Sequence, residues 1–336
     1  MKTILVTGGA GFIGSNFVHL VRAQRPDWKI VVLDKLTYSG RKENLADVLC
    51  DGQVQFVKGD ICNAKAVEKA MQECSMVFNF AAETHVDRSL LENEPGVFVQ
   101  TNVYGVFTLL EAAKKQGVER FVQVSTDEVY GEVNEGFSVE TDALAPRSPY
   151  SAAKAGGELL AQSYYQSHGV PVIITRGSNT FGTHQFPEKL IPLFISNALD
   201  DKPLPLYGDG LQQRDWIYAE DHASGILKAA EDGKPGESYN VGGGNQQTNR
   251  AITLQILQLL DKPDSLIKTV TDRPGHDRRY ALDCSKIQAL GWQPKYAFED
   301  ALKLTVDWYL ANQTWWRVIK ESKSFADYYQ KNYSGR

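Results

Sequence analysis

The N-terminal stretch restricts the fold most. Lys2-Thr-Ile-Leu-Val-Thr7 reads as a buried strand, Gly8-Gly-Ala-Gly11-Phe-Ile-Gly14 as a tight turn, and the pattern from Ser15 to about Arg25 as a helix. Glycines at three-residue spacing permit the turn and let backbone approach a pyrophosphate at a helix N-terminus. A second strand, Lys29-Ile-Val-Val-Leu33, ends in Asp34, twenty residues after Gly14. A carboxylate there hydrogen-bonds an adenosine ribose and repels a 2′-phosphate, so NAD is expected over NADP, with Lys35 the one neighbour that tolerates a phosphate.

The next segments repeat the strand–helix alternation. Val54–Val57 is a third strand leading to Gly59-Asp60-Ile61, a contact for an adenine edge, and Asp60 is also a candidate N-cap for a helix over Ala64–Cys74. Met76–Phe80 is a fourth strand running into Ala81-Ala82-Glu83-Thr84-His85, where small residues let a cofactor lie against backbone. His85 reads equally as a satisfied loop histidine or as a ligand contact. An amphipathic helix over Asn102–Lys115 precedes the strand Arg120-Phe-Val-Gln-Val-Ser-Thr126. This alternation predicts an α/β fold: a Rossmann-type doubly wound parallel sheet with a smaller α/β substrate-binding C-terminal lobe. Residues 1–175 are expected to form the NAD-binding domain with the catalytic residues. Residues 176–336 would be mainly the lobe, with some segments returning to the first domain.

The Arg120–Thr126 strand delivers Thr126-Asp127-Glu128 to the carboxyl end of the sheet, where ligands bind in such folds. Two adjacent carboxyls there suit proton shuffling, one kept as an acid while its neighbour ionises as a base. An isolated Asp-Glu pair is ordinarily a solvated loop; the neighbouring signals argue otherwise. After Pro146-Arg-Ser-Pro149, a helix start, Tyr150 and Lys154 lie four apart and share a face. An ammonium near a phenol favours the phenolate, and the spacing therefore predicts a lowered Tyr150 pKa.

Composition narrows the partners. The 336-residue chain carries a net charge of −5, which gives no reason to expect nucleic acid. Cys50, Cys62, Cys74 and Cys284 form no paired motif, so neither a metal site nor a disulfide framework is expected. Met1-Lys2 leads straight into a strand and no run of 18 apolar residues occurs, which predicts a soluble cytoplasmic protein without membrane partners.

The glycine turn, Thr126 and Tyr150-Ser-Ala-Ala-Lys154 resemble the extended short-chain dehydrogenase/reductase superfamily. Within it, Ser125-Thr-Asp-Glu-Val-Tyr-Gly131 resembles the dTDP-glucose 4,6-dehydratases, as do Phe186-Pro-Glu-Lys-Leu-Ile-Pro192, Pro203-Leu-Pro-Leu-Tyr-Gly-Asp-Gly210 and Arg214-Asp-Trp-Ile-Tyr218. The resemblance implies dehydration of dTDP-glucose to the 4-keto-6-deoxy sugar on one tightly held, regenerated NAD. Tyr150, supported by Lys154 and Thr126, would deprotonate the C4 hydroxyl. Glu128 would take the C5 proton, and Asp127 would protonate the departing C6 hydroxyl. Expected cofactor positions are Gly8, Gly11, Phe12, Ile13, Gly14, Asp34, Lys35, Thr37, Asp60, Ile61, Ala81, Ala82, Thr101, Tyr150 and Lys154. Expected substrate positions are His85, Ser89, Thr126, Asn179, Lys189, Leu190, Pro205, Tyr207, Arg214, Asn249, Arg273 and His276. On their own chemistry Arg214, Arg273, Arg278 and Arg279 are guanidinium forks suited to a diphosphate. The family also implies a homodimer in which the helices Asn102–Lys115 and Tyr150–His168 of two subunits form a four-helix bundle.

One departure from the subfamily stands out. Asn179-Thr180-Phe181-Gly182-Thr183-His184 replaces the usual Asn-Asn-Tyr-Gly-Pro-Tyr. A hydrogen bond near the nicotinamide or sugar would be missing, and His184 would add a donor near the base or hexose. Alternatives are therefore a 4,6-dehydratase of UDP-glucose or of an amino-sugar nucleotide, a nucleotide-sugar 4-epimerase or decarboxylase in which Asp127 and Glu128 are passengers, and a silent nucleotide-sensing protein.

Overall fold

Parallel strands buried on both faces, rich in Val, Ile and Leu, require helices on both sides. The computed structural model, which describes residues 2–90, 95–272 and 277–333, has this arrangement. Six strands lie in the first half: β1 (Thr3–Thr7), β2 (Lys29–Asp34), β3 (Val54–Lys58), β4 (Met76–Asn79), β5 (Arg120–Thr126) and β6 (Val172–Gly177). Six shorter ones follow: β7 (Asn179–Phe181), β8 (Leu204–Tyr207), β9 (Gln213–Tyr218), β10 (Ser238–Val241), β11 (Gln246–Thr248) and β12 (Ile267–Val270). The main sheet runs β10-β6-β5-β4-β1-β2-β3, parallel throughout. The order reverses between β1 and β4, the point where a doubly wound sheet opens a crevice.

Helices Phe12–Gln24 and Ala219–Asp232 pack their apolar faces together on one side of this sheet. Ala64–Met71, Val106–Gln116 and Pro149–His168 cover the other. Both Ala219–Asp232 and β10 therefore come back from the second half of the chain to complete the first sheet. The lobe has its own core around Phe181, Phe194, Trp216, Phe298 and Trp316, against the small sheets β11-β9-β7 and β12-β8.

Local signals explain the elements that carry the site. Ser148 and Ser151 form a reciprocal capping box, and Pro149 opens the helix that runs to His168 and stops at left-handed Gly169. That helix approaches its neighbour closely, since a Cβ on Gly157 would lie 2.4 Å from Asn102 O. The expected helix over Asn102–Lys115 begins earlier, as Pro95–Val99, and passes through a π-helical turn, Gln100–Gly105, before Val106–Gln116. Such turns recur at functional sites, and this one carries Thr101. Asp60 does not cap the helix Ala64–Met71. Asn63 does, its Oδ1 accepting from Ala66 N at 3.1 Å, because Asp60 is committed to Lys35 Nζ at 2.7 Å and Cys62 N at 2.9 Å.

Candidate active site

A cavity of ≈ 390 Å³ lies along the carboxyl ends of β1 to β6 and extends into the lobe. At its first end the glycine turn is packed too tightly for side chains. A Cβ on Gly14 would lie 2.3 Å from Gly8 O, and one on Gly8, whose φ is +67°, would meet Ala81 N at 2.6 Å. Asp34 Oδ2 accepts from Ala10 N at 2.9 Å and Oδ1 from Leu36 N at 2.7 Å. Burial nonetheless raises its pKa against those two bonds. Gly8, Gly11, Phe12, Ile13, Gly14, Asp34, Lys35, Thr37, Asp60, Ile61, Ala81, Ala82 and Thr101 all line this end. A dinucleotide fits the donors and the cramped backbone there: the turn places N–H groups where a pyrophosphate would bind, and Asp34 stands where a ribose hydroxyl donates.

The second end is made of ionisable side chains. Thr126 ends β5, beside Gly177 of β6. Thr126 Oγ1 donates to Asp127 Oδ1 at 3.1 Å and receives Glu128 N at 3.3 Å. Asp127 is 3% exposed, and its Oδ2 has no partner. Burial, then the charges of Glu128 and Asp215, push its pKa well above the ordinary carboxylate value, the direction that favours the protonated form. Thr126, Asp127, Glu128, Tyr150 and Lys154 all line the cavity.

The expected effect of Lys154 on Tyr150 is not what this geometry produces. Lys154 Nζ donates to Val124 O at 2.6 Å, and burial pulls its pKa down to about 8. Burial and the charge of Glu128 push the Tyr150 phenol up, while hydrogen bonds with Thr84 and Thr126 pull it down. Thr84 is therefore a second hydroxyl beside the phenol that sequence reasoning passed over, although it lies in the Ala81–His85 stretch.

The lobe side holds most of the other expected residues. His85, Asn179, Lys189, Leu190, Pro205, Tyr207, Arg214 and Asn249 line the same cavity. Arg214 is 5% exposed, donates to Asp277 O at 2.7 Å and lies over the Tyr280 ring at 4.4 Å. Ser89 is not brought in; it is fully buried, and its hydroxyl donates to Val86 O at 2.7 Å within its own short helix. Arg278 is turned to the surface in a fork with Asp209, and Arg279 caps Val133 O and Gly136 O, so neither reaches the cavity. Arg273 and His276 lie outside the described residues.

The Thr180–His184 departure also reads differently in three dimensions. Phe181 is buried among Trp216, Tyr218 and Phe298, so a missing hydroxyl there faces the lobe core and no ligand. His184 is absent from the cavity lining. Its ring stacks on His19 at 5.9 Å and meets Trp308 at 4.7 Å, where burial lowers its pKa to about 4. Only Thr180 reaches the cavity, bonded to His222 Nδ1 at 2.7 Å. Sequence reasoning also missed the Glu188 carboxylate, which accepts from Arg88 at 2.8 Å and Tyr38 at 3.0 Å, and Tyr333, contributed by the C-terminal helix. Glu188 was in view within Phe186–Pro192; Tyr333 had no local signal.

The family model described as GDP-mannose 4,6 dehydratase matches residues 5–305. A dTDP-glucose 4,6-dehydratase of Streptomyces antibioticus is 49% identical over 95% of this chain and 95% of its own. The dTDP-glucose 4,6-dehydratase of Streptomyces venezuelae, solved with NAD and dTDP bound, is 47% identical and superposes with a TM-score of 0.93 over 95% of this chain and all of that one. A UDP-glucose 4-epimerase of Thermus thermophilus, solved with NAD, is 33% identical with a TM-score of 0.85, over 93% of this chain and all of that one. Similarity over nearly the whole length makes the chain a member of the GDP-mannose 4,6 dehydratase family, on its dTDP-glucose 4,6-dehydratase branch.

Proposed function

We propose that this chain converts dTDP-glucose to dTDP-4-keto-6-deoxyglucose, using one NAD that is held through the cycle. The observation that carries the reading is the pair at the end of β5: a buried Asp127 whose pKa is pushed well up, next to a cavity-lining Glu128, with Tyr150 in the same cavity. When bound, NAD would supply a hydride acceptor for C4 and, once reduced, a hydride donor for C6.

The chain's own residues supply the remainder. Tyr150, flanked by Thr84 and Thr126, takes the proton of the C4 hydroxyl as C4 is oxidised. Placing a negative phenolate there is easier when Lys154 is charged, and its pKa of about 8 leaves most of it charged at neutral pH. The C4 ketone acidifies the C5 proton, which Glu128 removes. Asp127 delivers its proton to the C6 hydroxyl, which leaves as water, and Glu128 returns its proton to C5 as the hydride arrives at C6. Two adjacent carboxyls whose surroundings push their protonation apart are suited to this division of labour. Arg214, Lys189, Asn179 and Asn249 are assigned to the diphosphate and ribose, and Leu190, Pro205 and Tyr207 to the base.

The same fold serves a 4-epimerase at 33% identity, so fold alone does not choose between the reactions. The test is incubation of purified chain, without added cofactor, with dTDP-glucose and separately with UDP-glucose, followed by mass spectrometry. Loss of one water from the dTDP sugar is expected. Loss from UDP-glucose alone would reassign the base, and isomerisation without water loss would make the protein an epimerase.

We also place the protein in the cytoplasm as a homodimer. Its four cysteines are free, as in a reducing compartment. Val99, Tyr104 and Phe107 leave apolar surface on one pair of helical turns, and Leu159, 62% exposed, on the Tyr150 helix, as a four-helix contact would need. Among the described residues no helix is long and apolar enough to cross a membrane. Sedimentation that finds only monomers at micromolar concentration would sink the dimer.

A further inference from the structure

His222 lines the cavity and has no part in the scheme above. It sits in the first turn of Ala219–Asp232 and is 1% exposed, and burial drives its pKa down to about 4, so the ring is neutral at pH 7. A neutral imidazole carries one N–H, and the hydrogen bonds identify which nitrogen has it. Thr180 Oγ1 has a single proton, which it donates to Ser178 O at 3.1 Å. With that proton on Ser178 O, the 2.7 Å contact between Thr180 Oγ1 and His222 Nδ1 is assigned as donated by Nδ1–H. Nε2 is left as a bare acceptor, buried and without a partner. It faces Gly177, where a Cβ would lie 2.3 Å from it.

The position of this acceptor selects its donor. Gly177 is paired with Thr126 at the carboxyl end of the sheet, four strands from Asp34 on β2, or roughly 19 Å at usual strand spacing. A dinucleotide with its adenosine ribose at Asp34 therefore brings its other end to Thr126 and Gly177. Tyr150 and Lys154 approach that point from the helix on one face of the sheet, and His222 from the helix on the other. The sugar must lie on the Tyr150 side for proton and hydride transfer. The nicotinamide then lies between, and its carboxamide NH₂ is a donor that can face away from the sugar.

We infer that His222 Nε2 accepts a hydrogen bond from the carboxamide NH₂ of the nicotinamide, with Thr180 fixing the tautomer and Gly177 making room. The inference rests on the NAD reading of the cavity. It makes His222 a positioning residue that sets the rotation of the nicotinamide ring, and it gives Thr180, where the subfamily usually has Asn, a specific task.

The test is a cycle of variant against cofactor, read as binding and not as turnover. Dissociation constants are measured on full-length, cofactor-stripped chain for NAD and for 3-acetylpyridine adenine dinucleotide, in which a methyl group replaces the NH₂. Wild type should prefer NAD by about five- to tenfold, the worth of one net hydrogen bond. His222→Asn keeps a donor where Nδ1 stands and loses the Nε2 position, and should lose the preference by weakening NAD alone. His222→Gln puts an amide oxygen where Nε2 stands and should restore it. Thr180→Val frees the tautomer and should also erase the preference, which decides the matter if His222→Asn does not fold. Equal weakening toward both cofactors would leave His222 only a structural role, and an unchanged preference in His222→Asn would sink the inference outright. Wild type that binds neither cofactor would fail the NAD reading itself, and the inference with it.

Discussion

The two ends of the cavity are built on opposite plans. The cradle at β1 and β2 is mostly backbone from one short run of chain, and the Asp34 carboxylate there, though burial raises its pKa, already accepts two N–H groups. The end at β5 and β6 is assembled from side chains that lie far apart in sequence, and several of its groups are displaced from their usual ionisation: Asp127 and Tyr150 upward, Lys154 and His222 downward. A site that only binds is satisfied before its ligand arrives, whereas a site that moves protons is held away from its own electrostatic optimum. The difference predicts that damage to the two ends will separate into affinity and turnover.

The largest expected separation comes from Glu128→Gln. It should lower turnover by about 10²–10⁴-fold, the usual worth of a positioned acid or base, while NAD affinity stays within about twofold. Solvent deuterium exchange at C5, followed by mass spectrometry, should stop with it. Unimpaired exchange would move the base elsewhere. Gly14→Ala tests the other end: with Gly8 O only 2.3 Å from the new Cβ, NAD binding should weaken by about tenfold or more, measured by equilibrium dialysis.

Asp127→Asn should have a smaller effect, and in the opposite direction for stability. The folded pKa of Asp127 lies above its unfolded value, roughly 3.9. The native chain therefore binds the extra proton, and stability falls as pH rises from the unfolded value toward the folded one. Asparagine has no proton to lose, so at pH 7 the variant should melt higher, by about 2 °C for each kcal/mol relieved. The gain should vanish below roughly pH 4. A variant that melts lower at neutral pH would show that Asp127 is not a strained acid. The smallest effect on function belongs to Phe181→Tyr. The added hydroxyl enters the lobe core, which should cost about 1–3 kcal/mol of stability and leave kcat/KM unchanged within about twofold. A large change in KM would return this position to the substrate.

The cradle was legible because its causes are local. Strand, glycine spacing, helix and Asp34 fall within one run of chain, and each residue type is imposed by backbone geometry at that point. The same holds for Thr126-Asp127-Glu128 at a strand end, and for Tyr150 and Lys154, four apart on a capped helix. What was misread lay in segments whose neighbours come from elsewhere in the chain. His184 faces His19 and Trp308 away from the cavity, Ser89 is folded back on Val86, and Arg278 is held by Asp209. No local pattern states which way such side chains turn.

The sequence by itself determined the sheet class and the dinucleotide turn and singled out five candidate reactive residues, because periodicity, glycine geometry and side-chain chemistry act over a few neighbouring residues. Only the tertiary structure decided what those residues do electrostatically. Asp127 is pushed toward its protonated form because burial removes water from it and places Asp215, 88 positions away, within reach of its charge. His222 is placed to act as an acceptor because Thr180, 42 residues earlier in the chain, lies 2.7 Å from its Nδ1 and leaves Nε2 without a partner. Desolvation and long-range charge are properties of the packed molecule, and they are what turn a set of residues into a site.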